Sequence, residues 1–327
     1  MPSPAHRSIV ADIGGTNTRV ALAEHGQLIP HSTRHYRNAE YAGLVRVLGR
    51  YIEETGCGTP AAAALAMAGP VRDGRGTLTN LDWTLDTGVL AEATGAQTVA
   101  LLNDLQAQGH ALGHLPQSAL NVVLPGPPPN LSATQLVVGI GTGFNAAPVF
   151  STPTGRFVPP SEAGHAALPV RSAMDLDIAL FLEEQHGFAS IEDALSGRGL
   201  GWIHDFLCAR DGVEGGLKSG DVLHRLDAQD MAEAERARDA VAAFVRLMAG
   251  VCSDLALTLL PLGGIFLVGG MARAVTPLLA DLGFAETFRD KGRFSDFLDQ
   301  FSVTTVVDDD AALIGLSRHL EALLAAR

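Results

Sequence analysis

The sequence predicts an α/β protein of two domains, and three observations predict it. Short apolar runs of strand type alternate with helical patterns along most of the chain. At 327 residues the chain is longer than one core comfortably fills. A strand–glycine–strand frame occurs twice, once in each presumed half: VADIGGTNTRVAL from Val10 and VVGIGTGFNAAPV from Val137.

In order, SIVADI and TRVALAE read as strands around a glycine turn, whose Gly14 and Gly15 are expected to supply positive φ. YAGLVRVLGRYIEETG has a helical pattern, and AAALAMAGPV and QTVALLN are further strands. VRDGRGTLTN carries an Asp-Gly turn signal. Proline and glycine crowd HLPQSALNVVLPGPPPNLSATQ, which is expected to be the domain junction. QLVVGIGTG opens the second unit. MDLDIALFLEEQHG closes on Gly187, and a long helix is expected from about Met231 to Leu260. GIFLVGGMARAV runs from strand to helix through paired glycines. The chain finishes with SVTTVV, an acidic cap DDD and the helix AALIGLSRHLEALLAA.

Composition narrows the function. Net charge is −13, with only two lysines, Lys218 and Lys291, among 23 basic residues. That balance argues against nucleic acid or an anionic membrane as partner. Three cysteines, Cys57, Cys208 and Cys252, read as reduced thiols rather than a disulfide framework or a zinc site. No apolar segment precedes the first strand, and the most apolar stretch, Leu247 to Met271, is broken by Asp254, Pro261 and a glycine pair. A cytoplasmic location is the expectation.

Several motifs could carry chemistry, each beside a plainer reading. ADIGGT is either an ordinary hairpin or an anion clamp, with backbone N–H groups around a phosphate and Asp12 toward a metal. A P-loop is excluded, because GVEGGLKSG has Leu217 where glycine must precede the lysine, and no dinucleotide fingerprint occurs. In LLNDLQAQ, Asn103 and Asp104 end a strand where a helix begins. They are a helix cap or, by the rule that ligands bind beyond the carboxyl ends of strands, a hydroxyl-binding pair with Asp104 as base. Glu162 and His165 stand three apart in a loop and could orient a polar ring. Ser190 and Asp193 form a capping box in SIEDALSG, where Glu192 favours the helix dipole and Asp193 should point away from any pocket. Gly269 and Gly270 permit close approach to a flat ligand or simple helix–strand packing.

Taken together, DIGGTN, LLNDLQAQ, GIGTGF, SEAGH, SIEDALSG, FLVGGMA and FRDKGRFSDFL follow the order and rough spacing of the bacterial ATP-dependent glucokinase family, which the chain resembles from Ile9 to its last helix. The resemblance implies an actin-like (ribonuclease-H-like) fold with an active-site cleft between two α/β domains. The expected division is residues 1–114 plus 308–327 against residues 115–307. It implies phosphorylation of glucose at C6 with ATP and Mg²⁺, with another hexose or a non-catalytic sugar sensor as alternatives. A homodimer is the expected assembly.

By the same resemblance Ala11, Asp12, Ile13, Gly14, Gly15 and Thr16 form one phosphate loop. Gly141, Thr142 and Gly143 form the second, Gly269 and Gly270 line the adenosine, and Asp12 meets Mg²⁺ through water. Asn103, Asp104, Glu162, His165 and Glu192 contact the sugar, with Asp104 as general base. The sequence departs from the family pattern at GTGFN, where GTGLG is usual, and at SEAGH, where GEGGH is usual; Phe144 and Asn145 add bulk beside the cleft.

Overall fold

The computed structural model describes residues 7–78, 81–128, 130, 132–153 and 155–326. The first six residues, the end of VRDGRGTLTN at Thr79 and Asn80, and Pro129 and Leu131 of the expected junction lie outside the described residues. The chain divides into two compact units, residues 1–117, 149–160 and 308–327, and residues 118–148 and 161–307.

The first unit is built on a sheet of β1 (Ser8–Ile13), β2 (Asn17–Glu24), β3 (Gln27–Leu28), β4 (Arg34–Arg37), β5 (Ala62–Met67) and β9 (Thr98–Asn103), in the order β3-β2-β1-β5-β9 with β4 also on β2. The β1–β2 pair is antiparallel; β1–β5 and β5–β9 are parallel. Both faces are covered, so the central strands are apolar nearly throughout. Ile9, Ala11 and Ile13 join one core with Leu44, Val47, Leu48 and Tyr51 of α1 (Leu44–Thr55). Val10, Ala62, Ala64 and Ala66 join another with Leu313, Leu316 and Leu320 of α11 (Ala311–Ala325). Strand parity puts Asp12 on this second face.

A small meander, β6 (Val71–Arg72), β7 (Arg75–Thr77) and β8 (Thr84–Asp86), makes the expected Asp-Gly turn, with φ +52° at Asp73 and +73° at Gly74. It leads through α2 (Thr87–Thr94) to β9 and α3 (Asp104–Ala111).

The second unit repeats the scheme. Its sheet contains β10 (Leu120–Leu124), β11 (Gln135–Ile140), β12 (Phe144–Thr152), β14 (Ile265–Val268) and β15 (Val303–Val306), and continues into β13 (Gly155–Phe157) in the order β10-β15-β14-β11-β12-β13; β13 and the end of β12 fall within the residues grouped with the first unit. Strands β11–β14 and β14–β15 are parallel. Each unit therefore carries a glycine hairpin beside two parallel strands, which gives the internal sequence echo a structural counterpart.

The helices here are α4 (Ala173–His186), α5 (Ile191–Ala194), α6 (Gly197–Asp211), α7 (Ser219–His224), α8 (Met231–Leu259), α9 (Gly270–Val275) and α10 (Phe284–Arg289). Among the described residues one helix, α8, is long and apolar enough to cross a bilayer, and two thirds of its most apolar window is buried. Ala240, Phe244, Met248 and Cys252 place it in the core of this unit.

Four expectations change. Residues 149–160 belong with the first unit, not with 115–307. The reason is local packing: Gln106 of α3 donates to the Val158 carbonyl at 2.8 Å, and Gly109 of α3 faces Val149 and Val158 too closely for a side chain. The proline-rich stretch does hold a division, at 117/118, but it is not all connection: LNVVL forms a paired strand, β10, antiparallel to β15. Neither Gly14 nor Gly15 lies in the left-handed region; the turn closes instead by Gly14 N–H donating to the Asn17 carbonyl at 3.0 Å. The acidic run before α11 supplies no side-chain cap from Asp310; Asp308 accepts from the Asp310 N–H at 2.8 Å.

Candidate active site

In the first unit the β1–β2 register sets Asp12 opposite Arg19. The two pair at 2.5 Å, and the other arm of Arg19 donates to the Asp309 carbonyl. The connecting loop, Gly14 to Asn17, is held by a residue the motifs did not flag. Asn38, 2% exposed, donates from Nδ2 to the Gly14 carbonyl at 2.7 Å and from its backbone N–H to the Thr16 carbonyl at 2.9 Å. Its Oδ1 accepts from the buried Thr18 hydroxyl at 2.7 Å. Three loop carbonyls, those of Gly14, Thr16 and Asn17, are thus drawn into the fold, while Gly15, Thr16 and Asn17 remain exposed. An exposed turn with inward-committed acceptors is what an anion clamp requires.

Among the described residues no group of three or more histidines, cysteines and acids is placed to hold a metal. A single carboxylate already paired to an arginine does not make a magnesium cage. It fits a Mg²⁺ that keeps its waters and is carried chiefly by nucleotide phosphates.

At the end of β9, Asn103 performs the capping role of its plainer reading. Its Oδ1 accepts from the Leu105 N–H at 2.8 Å, Gln106 Oε1 accepts from the Asn103 N–H at 3.1 Å, and Nδ2 reaches the Gly69 carbonyl at 3.2 Å. This buried network fixes the start of α3. Asp104 occupies its first position, exposed, with Oδ1 accepting from the Leu105 N–H at 2.8 Å. The helix N-terminus favours that carboxylate as an anion.

In the second unit the turn Gly141–Gly143 is closed by Gly141 N–H to the Gly143 carbonyl at 2.9 Å. The Gly141 carbonyl accepts from Gly197 N–H at 2.7 Å. A Cβ on Gly269 would meet the Ile140 carbonyl at 2.5 Å, so the paired glycines are packed against this same turn.

Directly after it, Phe144 N–H donates to Glu192 Oε2 at 2.9 Å. Asn145 binds the loop that carries Glu162, donating to the Ser161 carbonyl at 2.5 Å and accepting from Ala163 N–H at 3.0 Å. The loop comes so near the Phe144 carbonyl that a Cβ on Gly164 would lie 2.1 Å from it, so the glycine of SEAGH is required there. Phe144 does not add bulk to the site: it is 4% exposed and belongs to the core of its unit.

Glu192 and His165 line one cavity of about 370 Å³, together with His186, Arg198 and Trp202. Glu162 lies on the bordering loop and is not part of this lining. Asp193 lines the same cavity rather than pointing away, although its carboxylate is held by the N–H and hydroxyl of Ser190, completing the expected capping box. Arg198 lies 3.4 Å from Glu192 and sits over the Trp202 ring, which in turn packs on His186 with centroids 4.1 Å apart. Glu192 is therefore more than a helix-dipole residue: both its oxygens have partners that aim it.

Arg19 was open to prediction from the hairpin register, and the Arg198–Trp202 stack from its i,i+4 spacing on α6; Asn38, 24 residues from Gly14, had no signal in the sequence.

Each unit thus carries a glycine turn on its hairpin, and the second unit adds a carboxylate-lined polar cavity. The glucokinase family model matches residues 9–323. A glucokinase of Nitrobacter hamburgensis is 31% identical over 316 residues, covering 94% of this chain and 95% of the relative. The crystal structure of a glucokinase from an Antarctic psychrotroph superposes with a TM-score of 0.85 at 28% identity, covering 97% of this chain and 99% of that one. A Balamuthia mandrillaris glucokinase solved with glucose, 20% identical and with a TM-score of 0.80, covers 98% of this chain and 94% of that one, and shares the fold. The chain belongs to the glucokinase family.

Proposed function

We infer that this protein transfers the γ-phosphoryl group of ATP to the C6 hydroxyl of glucose, giving glucose 6-phosphate and ADP. The observation that carries the reading is the joint at Phe144. The residue that ends the second glycine turn donates its N–H to Glu192, so an anion-binding turn and a hydroxyl-binding carboxylate share one piece of backbone. A filament-forming ATPase has no need of that joint.

Asp104 takes the proton of the C6 hydroxyl as that oxygen attacks the γ-phosphorus, and the bond from phosphorus to the β–γ bridging oxygen breaks, leaving ADP. Asn103 fixes the start of α3 and so the position of Asp104. Glu162, His165 and Glu192 bind ring hydroxyls. The N–H groups of Gly15 and Thr16 and of Thr142 and Gly143 hold the phosphates and stabilise charge as it develops, while those of Gly14 and Gly141 close their own turns. Gly269 and Gly270 leave room for the adenosine. Asp12 would hold Mg²⁺ through water, and the metal would supply neutralisation of phosphate charge. Conserving ATP requires water to be kept from the γ-phosphorus. The enzyme acts in the cytoplasm and as a homodimer, the latter open to light scattering.

ADP release measured with glucose, mannose, fructose and N-acetylglucosamine tests the reading. Glucose should give the highest kcat/KM; ADP release that no sugar stimulates would overturn it.

A further inference from the structure

Asn145 stands immediately after the second glycine turn, and its side chain acts across the chain rather than along it. Nδ2 donates to the Ser161 carbonyl at 2.5 Å, and Oδ1 accepts from Ala163 N–H at 3.0 Å. The same Oδ1 also accepts from the following N–H, of Ala146, at 2.8 Å, which fixes the side-chain rotamer. The two long-range bonds fall on either side of Glu162, one on the carbonyl before it and one on the N–H after it. With both flanking peptides fixed, the Cα–Cβ direction of Glu162 is fixed as well.

The next turn of this loop is locked from the same strand. His165 N–H donates to the Glu162 carbonyl at 3.1 Å, and Gly164 is pressed against the Phe144 carbonyl. Glu162 and His165 are themselves exposed, so the loop's order comes from its backbone partners and not from burial of these side chains. Phe144 and Asn145 thus hold two arms at once: Phe144 N–H holds Glu192, and Asn145 holds the segment of Glu162 and His165.

We propose that Asn145 is a positioning residue for the hexose, acting through the loop of Glu162 and His165. This rests on the sugar-kinase reading of that loop. The side chain contributes no group to the phosphates, so its influence belongs to sugar affinity. Removing two hydrogen bonds of ordinary strength leaves the loop to find its binding geometry at each encounter.

Asn145→Gly, which removes the whole side chain, and Asn145→Asp, which keeps Oδ1 but sets a carboxylate oxygen against the Ser161 carbonyl, are compared with the unaltered protein. Glucose binding is measured by calorimetry, and KM for glucose and for ATP by coupled assay. The expected result for both variants is a rise of about tenfold in glucose Kd and KM, with KM for ATP within about twofold of the unaltered protein.

Unchanged glucose affinity in either variant would overturn the proposal. So would an equal rise in both KM values with a lowered melting temperature, which a merely structural role would give. If the unaltered protein itself binds no hexose, the functional reading fails and the proposal with it. Intact turnover in the unaltered protein with no change in the variants sinks the proposal alone.

Discussion

Glu192 shows how a residue's surroundings decide between two roles that its position in a helix leaves open. As a first-turn acid of α5 it would add about 0.3–1 kcal/mol to stability and little else. Its carboxylate instead receives the Phe144 N–H and faces Arg198, and Gly143 comes so close that a Cβ there would lie 2.3 Å from Oε2. Glu192→Gln keeps the shape and removes the charge. It should raise KM for glucose about tenfold, the loss expected when a charge-assisted bond to a hydroxyl becomes neutral. The neighbouring Asp193→Asn weakens the Ser190 cap and should lower the melting temperature more than it alters KM. Steady-state kinetics beside thermal melts separate the two, and a raised KM for Asp193→Asn alone would reverse the assignment.

At the scale of elements, the β1–β2 hairpin works because a third segment holds its loop. Asn38→Ala removes a buried donor from the Gly14 carbonyl and a buried acceptor from Thr18, at a cost of about 1–3 kcal/mol for each group left unsatisfied. KM for ATP should rise severalfold, with glucose affinity measured by calorimetry unchanged; lost glucose binding with normal ATP use would contradict the role given to this loop.

The hairpin, its glycines and Asp12 were legible in the sequence because they are adjacent in it. Arg19 was nearly so, since a four-residue loop fixes the register. Asn38 was not, because nothing local marks an asparagine after β4 as the partner of a loop 24 residues earlier. Asn145 was visible as a departure from the family pattern but was read as bulk, whereas its effect is through hydrogen bonds that only the folded loop reveals. The association of residues 149–160 with the first unit was hidden for the same reason: it depends on contacts of Gln106 and Gly109 that leave no periodic trace.

For the whole molecule, the alternation of strands and helices and the repeated glycine frame were enough to predict two α/β units, because layer architecture follows from burial pattern. Global stability carries a pH signature from one buried cluster of the first unit. His110 of α3 and His319 of α11 pack with ring centroids 4.5 Å apart. Burial, then the neighbouring His319 and Arg156, push His110 down to about 3, and burial lowers His319 as well. Burial lowers His114 too, with Arg318 and Arg156 disfavouring its charge and Glu321 favouring it. Between about pH 6.5 and 3 the unfolded chain binds protons that the folded protein refuses, so stability rises with pH through that range. Melting temperature should be level above pH 7 and fall steadily from pH 6.5 to 4.5. A flat profile over that interval would show that the pair is not held neutral.

The central claim is that this protein makes glucose 6-phosphate with Asp104 as the base. Its most direct test is ³¹P–¹H correlation NMR of the products from glucose, ATP and Mg²⁺, with the unaltered protein and with Asp104→Asn. The account predicts a phosphomonoester coupled to the C6 protons, formed about 10²–10⁴-fold more slowly by the variant while glucose still binds. Phosphate esterified at another carbon, ADP with free phosphate and no ester, or an Asp104→Asn variant of undiminished rate would contradict it.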